Sequence, residues 1–326
     1  MQQLSKDLWQ CMENEYGKHA VLCVLLQLTW WVGRDVHLGD AALVPLGWIL
    51  KKMGAKRVTV TVCGLDVIWQ QHWYQWFLKK TFPSMDHVVC ISNATAEEVR
   101  RRGVQEKKIS VIPCGIWACH GEKNISHDDT FPILLTIGRL VKRKGHAWFI
   151  EKVLPLLIQE YSRLEYWIIG EGPERKRIES IIQKYVLESH VRLFGSVSDI
   201  LREEYYRKAD AFVMPNIPIP GDMEGFGIAC IEASSRGIPV VAARLEGLQD
   251  AVIEGETGMF FESGNVEDCM TAIRNVLENS TPPCLSAVAL AKGEGEGKGE
   301  VVKEYTLQHF SWTRLFQRYR DEVFHF

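Results

Sequence analysis

The stretch Ile133–Gly170, ILLTIGRLVKRKGHAWFIEKVLPLLIQEYSRLEYWIIG, contains one complete strand–helix–strand pattern. Two short apolar runs, Ile133–Ile137 and Tyr166–Ile169, flank the longer amphipathic segment His146–Tyr161. Short apolar runs that alternate with helical segments are typical of parallel strands buried on both faces. The stretch therefore predicts a parallel sheet that is covered by helices.

The same alternation continues on both sides of this stretch. Further strands are predicted at Arg57–Val62, His87–Ile91, Ile109–Ile112, Val191–Phe194, Ala211–Met214 and Val240–Ala242. Further helices are predicted at Ala41–Lys52, Gln70–Lys80, Ala94–Arg102, Glu174–Glu188, Asp199–Lys208 and Ile228–Arg236. This order of elements predicts an α/β protein with two unequal Rossmann-like domains.

We place the domain boundaries where this periodicity stops. Residues 1–116 form the predicted first domain, and 117–130, rich in Gly, His, Asn and Asp, form the linker. The second domain covers 131–300, in which the low-complexity segment Ala291–Glu300 predicts a mobile loop. Residues 301–326 predict a closing helix with an aromatic face at Phe310, Trp312, Leu315, Phe316 and Tyr319.

Composition and charge exclude several classes of protein. Of the 326 residues, 46% are hydrophobic and 24% are charged, as in an average soluble globular protein, and the length suffices for two domains. The 38 Lys and Arg against 41 Asp and Glu give a formal net charge of −3, which favours neither nucleic acid nor an anionic membrane. Any anionic ligand must therefore be held by a local group of cations.

The cysteines and the longest apolar run bear on the cellular location. The nine cysteines contain no Cys-x-x-Cys pair, which favours reduced thiols and a cytoplasmic protein over a zinc site or disulfides. The apolar run Ala20–Val32 is shorter than the ~20 residues of a bilayer span. We expect it to be a buried element, and peripheral contact with a membrane is the alternative.

Three loops after predicted strands carry the chemistry, namely Gly138–Gly145, Gly195–Asp199 and Gly221–Gly227. Parallel strands would bring them to one edge of the sheet. Arg139 and Lys144 could bind a diphosphate there, helped by the amino end of a helix that starts near Gly227. A carboxylate such as Glu224 can accept hydrogen bonds from sugar hydroxyls. These residues together predict a ligand in which a sugar is joined to a nucleoside diphosphate.

The two common nucleotide-binding motifs are incomplete or absent in this sequence, but a longer pattern is specific for one enzyme family. Gly170-Glu171-Gly172 lacks the third glycine of a dinucleotide fingerprint, and no P-loop is present. Glu224–Glu232, EGFGIACIE, resembles the E-x7-E element of glycosyltransferase family 4, retaining enzymes of GT-B fold. The similarity extends through 88–99, 111–115, 138–145, 170–173, 194–199, 209–215, 237–243, 250–258 and 310–312.

The resemblance implies roles for the matching residues. Arg139 and Lys144 would bind the donor diphosphate and, with Glu224 on the transferred sugar, form the catalytic group. Glu232 would bind the ribose hydroxyls and Val197 would lie against the base. The donor-binding residues implied in this way are Gly138, Val197, Gly225, Phe226, Gly227, Ile228 and Glu232.

The resemblance also implies the reaction. A sugar would pass from a nucleoside diphosphate, UDP or GDP, to a hydroxyl of a glycan, a lipid or a small molecule, with retention. The nucleotide sugar is a co-substrate, and no further cofactor and no metal ion are expected, because the cations neutralise the diphosphate.

Two departures from the family pattern keep other functions open. Cys63, in Cys63-Gly64-Leu65-Asp66, stands where family members usually have a histidine, and a thiol is only a weak hydrogen-bond donor. Residues 1–34 do not resemble the family's Gly-rich loop, so we expect an incomplete first domain. The alternatives are a non-catalytic protein that binds sugar nucleotides and, with less support, a glycoside phosphorylase.

Each candidate residue also has a plainer interpretation. The cations could form a solvated turn, Glu224 could cap a helix and Glu232 could lie exposed on one. His37 and His72 are expected to be structural. The aromatic residues at helical spacing are expected in the core rather than on an acceptor or membrane surface. These aromatic residues are Trp69, Trp73, Trp76 and Phe77.

Overall fold

A computed structural model of the chain describes residues 32–117, 131–278 and 298–324. Three predicted features lie wholly or mostly outside the described residues. They are the amino-terminal segment with its apolar run Ala20–Val32, of which only Val32 is described, the linker from residue 118 onwards, and residues 291–297 of the low-complexity segment. Within the described part, the chain forms two parallel sheets, each with helices on its faces. No helix in this part is long and apolar enough to cross a bilayer.

The first sheet has four parallel strands in the order of the chain. They are β1 (Asp35–Leu38), β2 (Arg57–Val62), β3 (His87–Cys90) and β4 (Ile109–Val111). The helices between them are α1 (Val44–Lys52), α2 (Leu65–Ile68), α3 (His72–Thr81) and α4 (Asn93–Arg101). α4 begins where the Ser92 side chain accepts a hydrogen bond from the Thr95 amide, as Ser does at helix N-caps.

The second sheet has six parallel strands in the order β10-β9-β8-β5-β6-β7. They are β5 (Ile133–Ile137), β6 (Glu165–Ile169), β7 (Val191–Gly195), β8 (Ala211–Met214), β9 (Val240–Ala243) and β10 (Gly258–Phe261). α5 (His146–Trp148) continues through a π-helical segment, Phe149–Val153, into α6 (Leu154–Glu160). The other helices are α7 (Arg175–Lys184), α8 (Asp199–Lys208), α9 (Ile228–Ser234), α10 (Leu248–Ala251) and α11 (Val266–Glu278).

The strand order reverses direction between β5 and β8, which lie side by side at the centre of the second sheet. In open α/β sheets, ligands bind beyond the carboxyl ends of the strands at such a switch point. The loops that follow β5 and β8 are two of the three loops that carry the predicted chemistry. Topology therefore places the candidate cations and Glu224 next to each other.

The α/β prediction is confirmed, and the predicted strands agree with the observed ones to within one residue at each end. Two strands were missed. β1 has only four residues with alternating burial, and the apolar run of β10, at 259–261, has only three residues after a glycine and a turn.

The carboxyl-terminal segment differs from the predicted single closing helix. It forms α12 (Lys298–Phe310) and α13 (Trp312–Arg318), followed by a π-helical end at Tyr319–Phe324. α12 therefore begins inside the segment that was predicted to be a mobile loop. The break at Ser311 also divides the predicted aromatic face, and Phe316 is 62% exposed. Beyond the break, Leu315 packs with Val89 and Ile112 of the first domain.

The prediction of buried aromatic residues near α3 is wrong for three of its four members. Trp69, Trp73 and Trp76 are 51%, 62% and 55% exposed, and Phe77 is half-buried. The inward face of α3 is instead occupied by Tyr74, Leu78 and Thr81. Helical spacing alone could not distinguish a face that points inward from one that points outward.

Candidate active site

The loops after β5 and β8 lock together at the switch point of the second sheet. Gly145 ends the first loop with a φ of +67°, and a Cβ atom there would overlap the carbonyl oxygen of Pro215. The Ile217 amide donates a 2.9 Å hydrogen bond to the carbonyl oxygen of Arg143. Because the loops touch through backbone, the side chains that they carry are held in fixed relative positions.

A buried ion pair joins the two loops. The Lys144 Nζ atom lies 2.7 Å from Glu224 Oε2, and the two residues are only 7% and 8% exposed. Arg143 Nε lies 3.5 Å from the same oxygen, and the Asn216 amide donates to it over 3.2 Å. All three contacts converge on Oε2. Among the described residues, no contact engages Oε1, which is left to accept a hydrogen bond from a ligand.

The neighbours of Glu224 keep its side chain ionised. Burial by itself would raise the pKa of this carboxyl group, but the charge and hydrogen bond of Lys144, the charge of Arg143 and the hydrogen bond of Asn216 outweigh burial. The net pKa is lower than usual. At neutral pH the group is therefore a carboxylate, which can accept hydrogen bonds but cannot donate one.

Arg143, Asn216 and Glu246 belong to this cluster, although no sequence motif singles them out. Arg143 Nη1 lies 3.1 Å from Asp222 Oδ1, and Glu246 Oε2 accepts from the Glu224 amide over 2.5 Å. Asn216 could have been noticed as a polar residue shortly after a buried strand. Glu246 has a φ of +47°, a conformation that nothing in the sequence indicates for a glutamate.

The two predicted diphosphate ligands, Arg139 and Lys144, lie in different surroundings. Lys144 is buried and paired, and its Nζ atom lies 3.8 Å from where a Cβ atom on Gly138 would be. Arg139 is exposed, and no ion pair or hydrogen bond engages its guanidinium group within the described ranges. The interpretation as a solvated cationic turn fits Arg139 and Lys142, but it does not fit Lys144.

Glu232 and Val197 lie at the same edge of the sheet without touching the ion pair. Glu232 is half-buried on α9, and its Oε2 atom accepts a 3.1 Å hydrogen bond from the buried Tyr206 hydroxyl. Burial, followed by the charge of Glu232, raises the pKa of Tyr206, so the phenol stays protonated and donates. Val197 follows β7 and packs partly against the core of the second domain.

The segment from Gly225 to Ile228, which was predicted to bind the donor, packs closely against its protein neighbours. A Cβ atom on Gly225 would overlap the Cys63 carbonyl oxygen of the first domain. The Phe226 ring is buried, with its centre 5.9 Å from that of Phe310, so this side chain points away from the predicted donor site. Gly227, with a φ of +98°, is the N-cap of α9, and Ile228 is 49% exposed.

The facing edge of the first domain carries Cys63. Desolvation, then the charges of Asp66 and Asp40, raises the pKa of this thiol to about 11, so it is neutral and unreactive near pH 7. His37 has hydrogen bonds to Thr59 and Thr61 and lies on the sheet, whereas His72 is exposed at the start of α3. Neither histidine has a contact with the candidate site.

A cavity of about 480 Å³ lies between the two domains beside the ion pair. It contains none of the predicted site residues, although Asp222, Met223 and Glu246 border Glu224 closely. Both domains contribute to its lining, which is Ile68, Gln70, Ala94, Glu97, Glu98, Arg101, Arg102, Ile219, Gly221, Asp222, Met223 and Glu246. In the described part of the chain, no group of three or more His, Cys, Asp or Glu side chains could hold a metal ion.

Comparison with known proteins identifies the family. The model of the family described as "Glycosyl transferases group 1" matches residues 122–289, and that of "Glycosyltransferase Family 4" matches residues 36–117. The chain belongs to the glycosyl transferases group 1 family. The resemblance that the E-x7-E element indicated is thus confirmed.

Curated relatives of this family are similar over most of the chain. The phosphatidylinositol N-acetylglucosaminyltransferase gpi3 subunit of Schizosaccharomyces pombe is 27% identical over 74% of this chain and 49% of its own length. A GDP-mannose-dependent α-(1-6)-phosphatidylinositol monomannoside mannosyltransferase of Mycolicibacterium smegmatis is 25% identical, with 85% of this chain and 73% of that protein covered. The chain thus spans about half to three quarters of the length of these two relatives.

Solved structures of glycosyltransferases share the fold. Anabaena Alr3699/HepE in complex with UDP gives a TM-score of 0.74 at 17% identity, with 94% of this chain and 82% of that chain covered. The apo form of the lipopolysaccharide outer core galactosyltransferase WaaB gives 0.69 at 17% identity over 93% of this chain and 78% of that chain. These likenesses confirm the predicted GT-B arrangement of two parallel-sheet domains that face a cleft.

Proposed function

We propose that the chain transfers a sugar from a nucleoside diphosphate sugar to a hydroxyl acceptor. The observation that carries this proposal is the arrangement at the switch point of the second sheet. There the ionised Glu224 has one oxygen unengaged, Lys144 lies against its other oxygen, and Arg139 in the same loop is exposed. A phosphorylated sugar needs both cations for its phosphates and hydrogen-bond acceptors for its hydroxyls.

In the proposed reaction, Arg139 and Lys144 hold the donor diphosphate. Negative charge grows on the leaving diphosphate as the glycosidic bond breaks, so the same cations bind the transition state more tightly than the ground state. Glu224 accepts hydrogen bonds from the sugar through Oε1 and orients the ring. The acceptor oxygen bonds to the anomeric carbon on the face that the diphosphate leaves, and its proton passes to the departing phosphate, which retains the configuration.

The donor nucleotide is proposed to be UDP or GDP. One similar structure contains UDP, and one relative is named as GDP-mannose-dependent. Glu232 would bind the ribose through its second carboxylate oxygen, and Val197 would face the base. We propose a cytoplasmic location, which is compatible with the five described cysteines that are free thiols.

The first test is a thermal titration of the purified chain with UDP and GDP in the presence of a chelator. A nucleotide at a hundred times its Kd adds about 2.7 kcal/mol to the stability of the folded state, which raises Tm visibly. Glu232→Ala should weaken binding by about 1–3 kcal/mol. Glu188→Ala, at an exposed glutamate of the same domain, is the matched control.

Two results would contradict the donor site. One is equal nucleotide affinity in wild type and Glu232→Ala, and the other is no stabilisation by either nucleotide. Transfer is then measured directly, with labelled nucleotide sugars and with chelator present. Activity that disappears with chelator and returns with a divalent ion would contradict the metal-independent mechanism.

A second candidate function is favoured by Cys63. A neutral thiol lies where the family usually has an imidazole, so the protein could bind sugar nucleotides without turning them over. Cys63→His separates the two functions, because it restores the hydrogen-bonding group and leaves the second domain unchanged. Turnover that appears only in this variant, at unchanged nucleotide affinity, would assign the present chain to the non-catalytic class.

A further inference from the structure

One side of the first domain exposes an apolar stripe along α1 and the turn before it. Leu43, Leu46, Ile49 and Met53 are 43%, 37%, 43% and 36% exposed, and they recur every third or fourth residue. The opposite face of α1, with Val44, Gly47 and Leu50, packs against the sheet. Contiguous exposed apolar patches on otherwise soluble folds mark sites of interaction.

The neighbouring helix α3, which packs beside α1, also exposes aromatic rings. Trp73 and Trp76 are more than half exposed, and Trp69 contacts Trp73 edge to face at 5.7 Å. We call these aromatic rings and the apolar stripe of α1 the α1–α3 surface. Tryptophan prefers the boundary between water and lipid, since its ring is apolar and its N–H is polar.

The α1–α3 surface is also cationic, although the whole chain has a formal net charge of −3. α1 ends in Lys51-Lys52 and α3 contains Lys79-Lys80, while neither helix contains an acidic residue. Lys51 pairs with Asp86, but Lys52, Lys79 and Lys80 have no carboxylate partner among the described residues. Lys52 and Lys80 lie over the rings of Trp48 and Trp76, at 3.9 and 4.1 Å from the ring centres.

We propose that the α1–α3 surface docks the protein on an anionic lipid bilayer. Lysines next to exposed Trp and Leu side chains match both layers of such a membrane surface, its negative headgroups and the outer ends of its acyl chains. A protein partner would need acidic groups opposite the lysines and apolar groups opposite the Trp and Leu side chains. An anionic bilayer presents both kinds of group over its whole surface and needs no matching shape.

The position of the α1–α3 surface beside the cavity indicates the class of acceptor, an inference that rests on the proposed function. Ile68 and Gln70 line the cavity between the domains, and Trp69, between them in the chain, belongs to the α1–α3 surface. A docked molecule would therefore hold the cavity close to the headgroups. The acceptor class that fits this arrangement is an amphiphile, with its hydroxyl in the cavity and its apolar tail in the bilayer.

Vesicle flotation tests the docking without nucleotide. The full chain is mixed with vesicles of phosphatidylcholine alone or of phosphatidylcholine with phosphatidylglycerol in equal amounts. We expect binding about tenfold stronger to the anionic vesicles, and weaker binding at high salt. Trp73→Ser with Trp76→Ser should reduce binding to both kinds of vesicle, and Lys79→Ser with Lys80→Ser only the anionic preference.

The matched control is Lys176→Ser with Ile200→Ser, which removes an exposed lysine and an exposed isoleucine from the second domain. It should bind vesicles like the wild type. The proposal is overturned if wild type does not float with anionic vesicles, or if the control loses as much binding as the Trp73 and Trp76 variant. It is also overturned if wild type forms a dimer that the same Trp substitutions dissociate while vesicle binding is absent.

Nucleotide-induced changes in Tm are measured on every variant and keep the two proposals apart. The Trp and Lys substitutions should leave these changes intact, which also shows that the variants fold. Vesicle binding in a chain that no nucleotide stabilises would support docking and contradict the proposed donor site. The opposite result would contradict docking alone.

Discussion

Two edges of the molecule face each other across the gap between the sheets, and they differ in charge. At the edge of the second domain, four ionic side chains, Arg143, Lys144, Asp222 and Glu224, are linked within 3.5 Å of one another. At the edge of the first domain, Asp66 and Ser92 are occupied by backbone amides, and the thiol of Cys63 is neutral. The edges meet through backbone, at Gly64 and Gly225.

This difference indicates that the two domains contribute differently to the cleft, the second through charged side chains and the first mainly through backbone. The charged edge is held by interlocked loops and buried ion pairs, which would let it bind the proposed donor without rearranging. The edge of the first domain offers backbone at Gly64, and its cations near the cavity, Arg101 and Arg102, are paired with Glu98. We therefore expect substitutions in the interlocked loops of the second domain to have larger effects than removal of a polar link between the domains.

The largest effect is expected from Gly145→Ala. The new methyl group would overlap the Pro215 carbonyl, and the residue would keep a positive φ. We expect a loss of about 4 kcal/mol in the free energy of unfolding, measured by urea denaturation. Gly264→Ala is the matched control, because its φ is +80° with nothing within 4 Å, and it should cost about 1 kcal/mol. Equal losses in the two variants would show that the loops do not interlock.

The next largest effect is expected from Lys144→Met. In this variant the buried carboxylate of Glu224 keeps only Arg143 as a cationic partner among the described residues. Removing one partner of a buried ion pair costs about 3 kcal/mol. The double variant Lys144→Met with Glu224→Gln should recover part of that loss, because no uncompensated charge is left buried. A double variant that is less stable than Lys144→Met alone would contradict the coupling of these two residues.

The same pair gives a prediction about pH. Since the folded-state pKa of Glu224 is lowered, its stabilisation is complete above the unfolded pKa of 4.5 and is lost as pH falls through the lower folded value. Lys144→Met removes the main group that opposes burial and so raises the pKa of Glu224. The variant should therefore lose less stability than wild type as pH falls below 4.5, as followed by Tm against pH.

A third effect is expected from His146, directly after the interlocked loop. Complete burial, then the charge of Lys144, lowers its pKa from 6.5 to about 3. The unfolded chain binds the proton more readily, so stability is lost as pH falls from 6.5 towards 3, by about 2 kcal/mol between pH 7 and pH 5. His146→Gln should remove this part of the pH dependence. His72→Gln, at an exposed histidine, should leave the slope unchanged; a slope unchanged by His146→Gln would contradict the prediction.

The strands of the second domain and their parallel order could be predicted because helices bury both faces of its sheet. Apolar runs such as Ala211–Met214 are then unbroken, and their bounds are visible in the sequence. Elements at the surface of the first domain, β1 and α3, were harder to predict. β1 is half exposed, and the aromatic residues of α3 repeat at a spacing that fits either face of the helix.

The candidate site could be predicted only in part, for a similar reason. Lys144 and Glu224 follow adjacent strands, so topology brings them together. The positions of Arg143 and Glu246 depend on how the loops fold back on each other, and the positive φ of Glu246 is set by that packing. The burial of the Phe226 ring against Phe310 depends on α12, which returns from the far end of the chain.

The smallest effect is expected where the two edges are joined by a single side chain. Asp250, from α10 of the second domain, accepts hydrogen bonds from the Asn93 backbone amide at 3.0 Å and from the Asn93 side-chain amide at 2.5 Å. Asn93 lies in the first turn of α4, where an unpaired amide and the helix dipole both favour a carboxylate. Asp250→Ala should cost about 1 kcal/mol of stability.

This substitution should also loosen the two domains relative to each other, because it removes a polar link and leaves both sheets intact. Small-angle scattering should then show a larger radius of gyration for Asp250→Ala, and no change for Asp199→Ala, whose exposed side chain pairs only within α8. An unchanged radius together with unchanged stability would mean that the other contacts, the approach of Gly64 to Gly225 and the packing of Leu315 on Val89 and Ile112, hold the domains without Asp250.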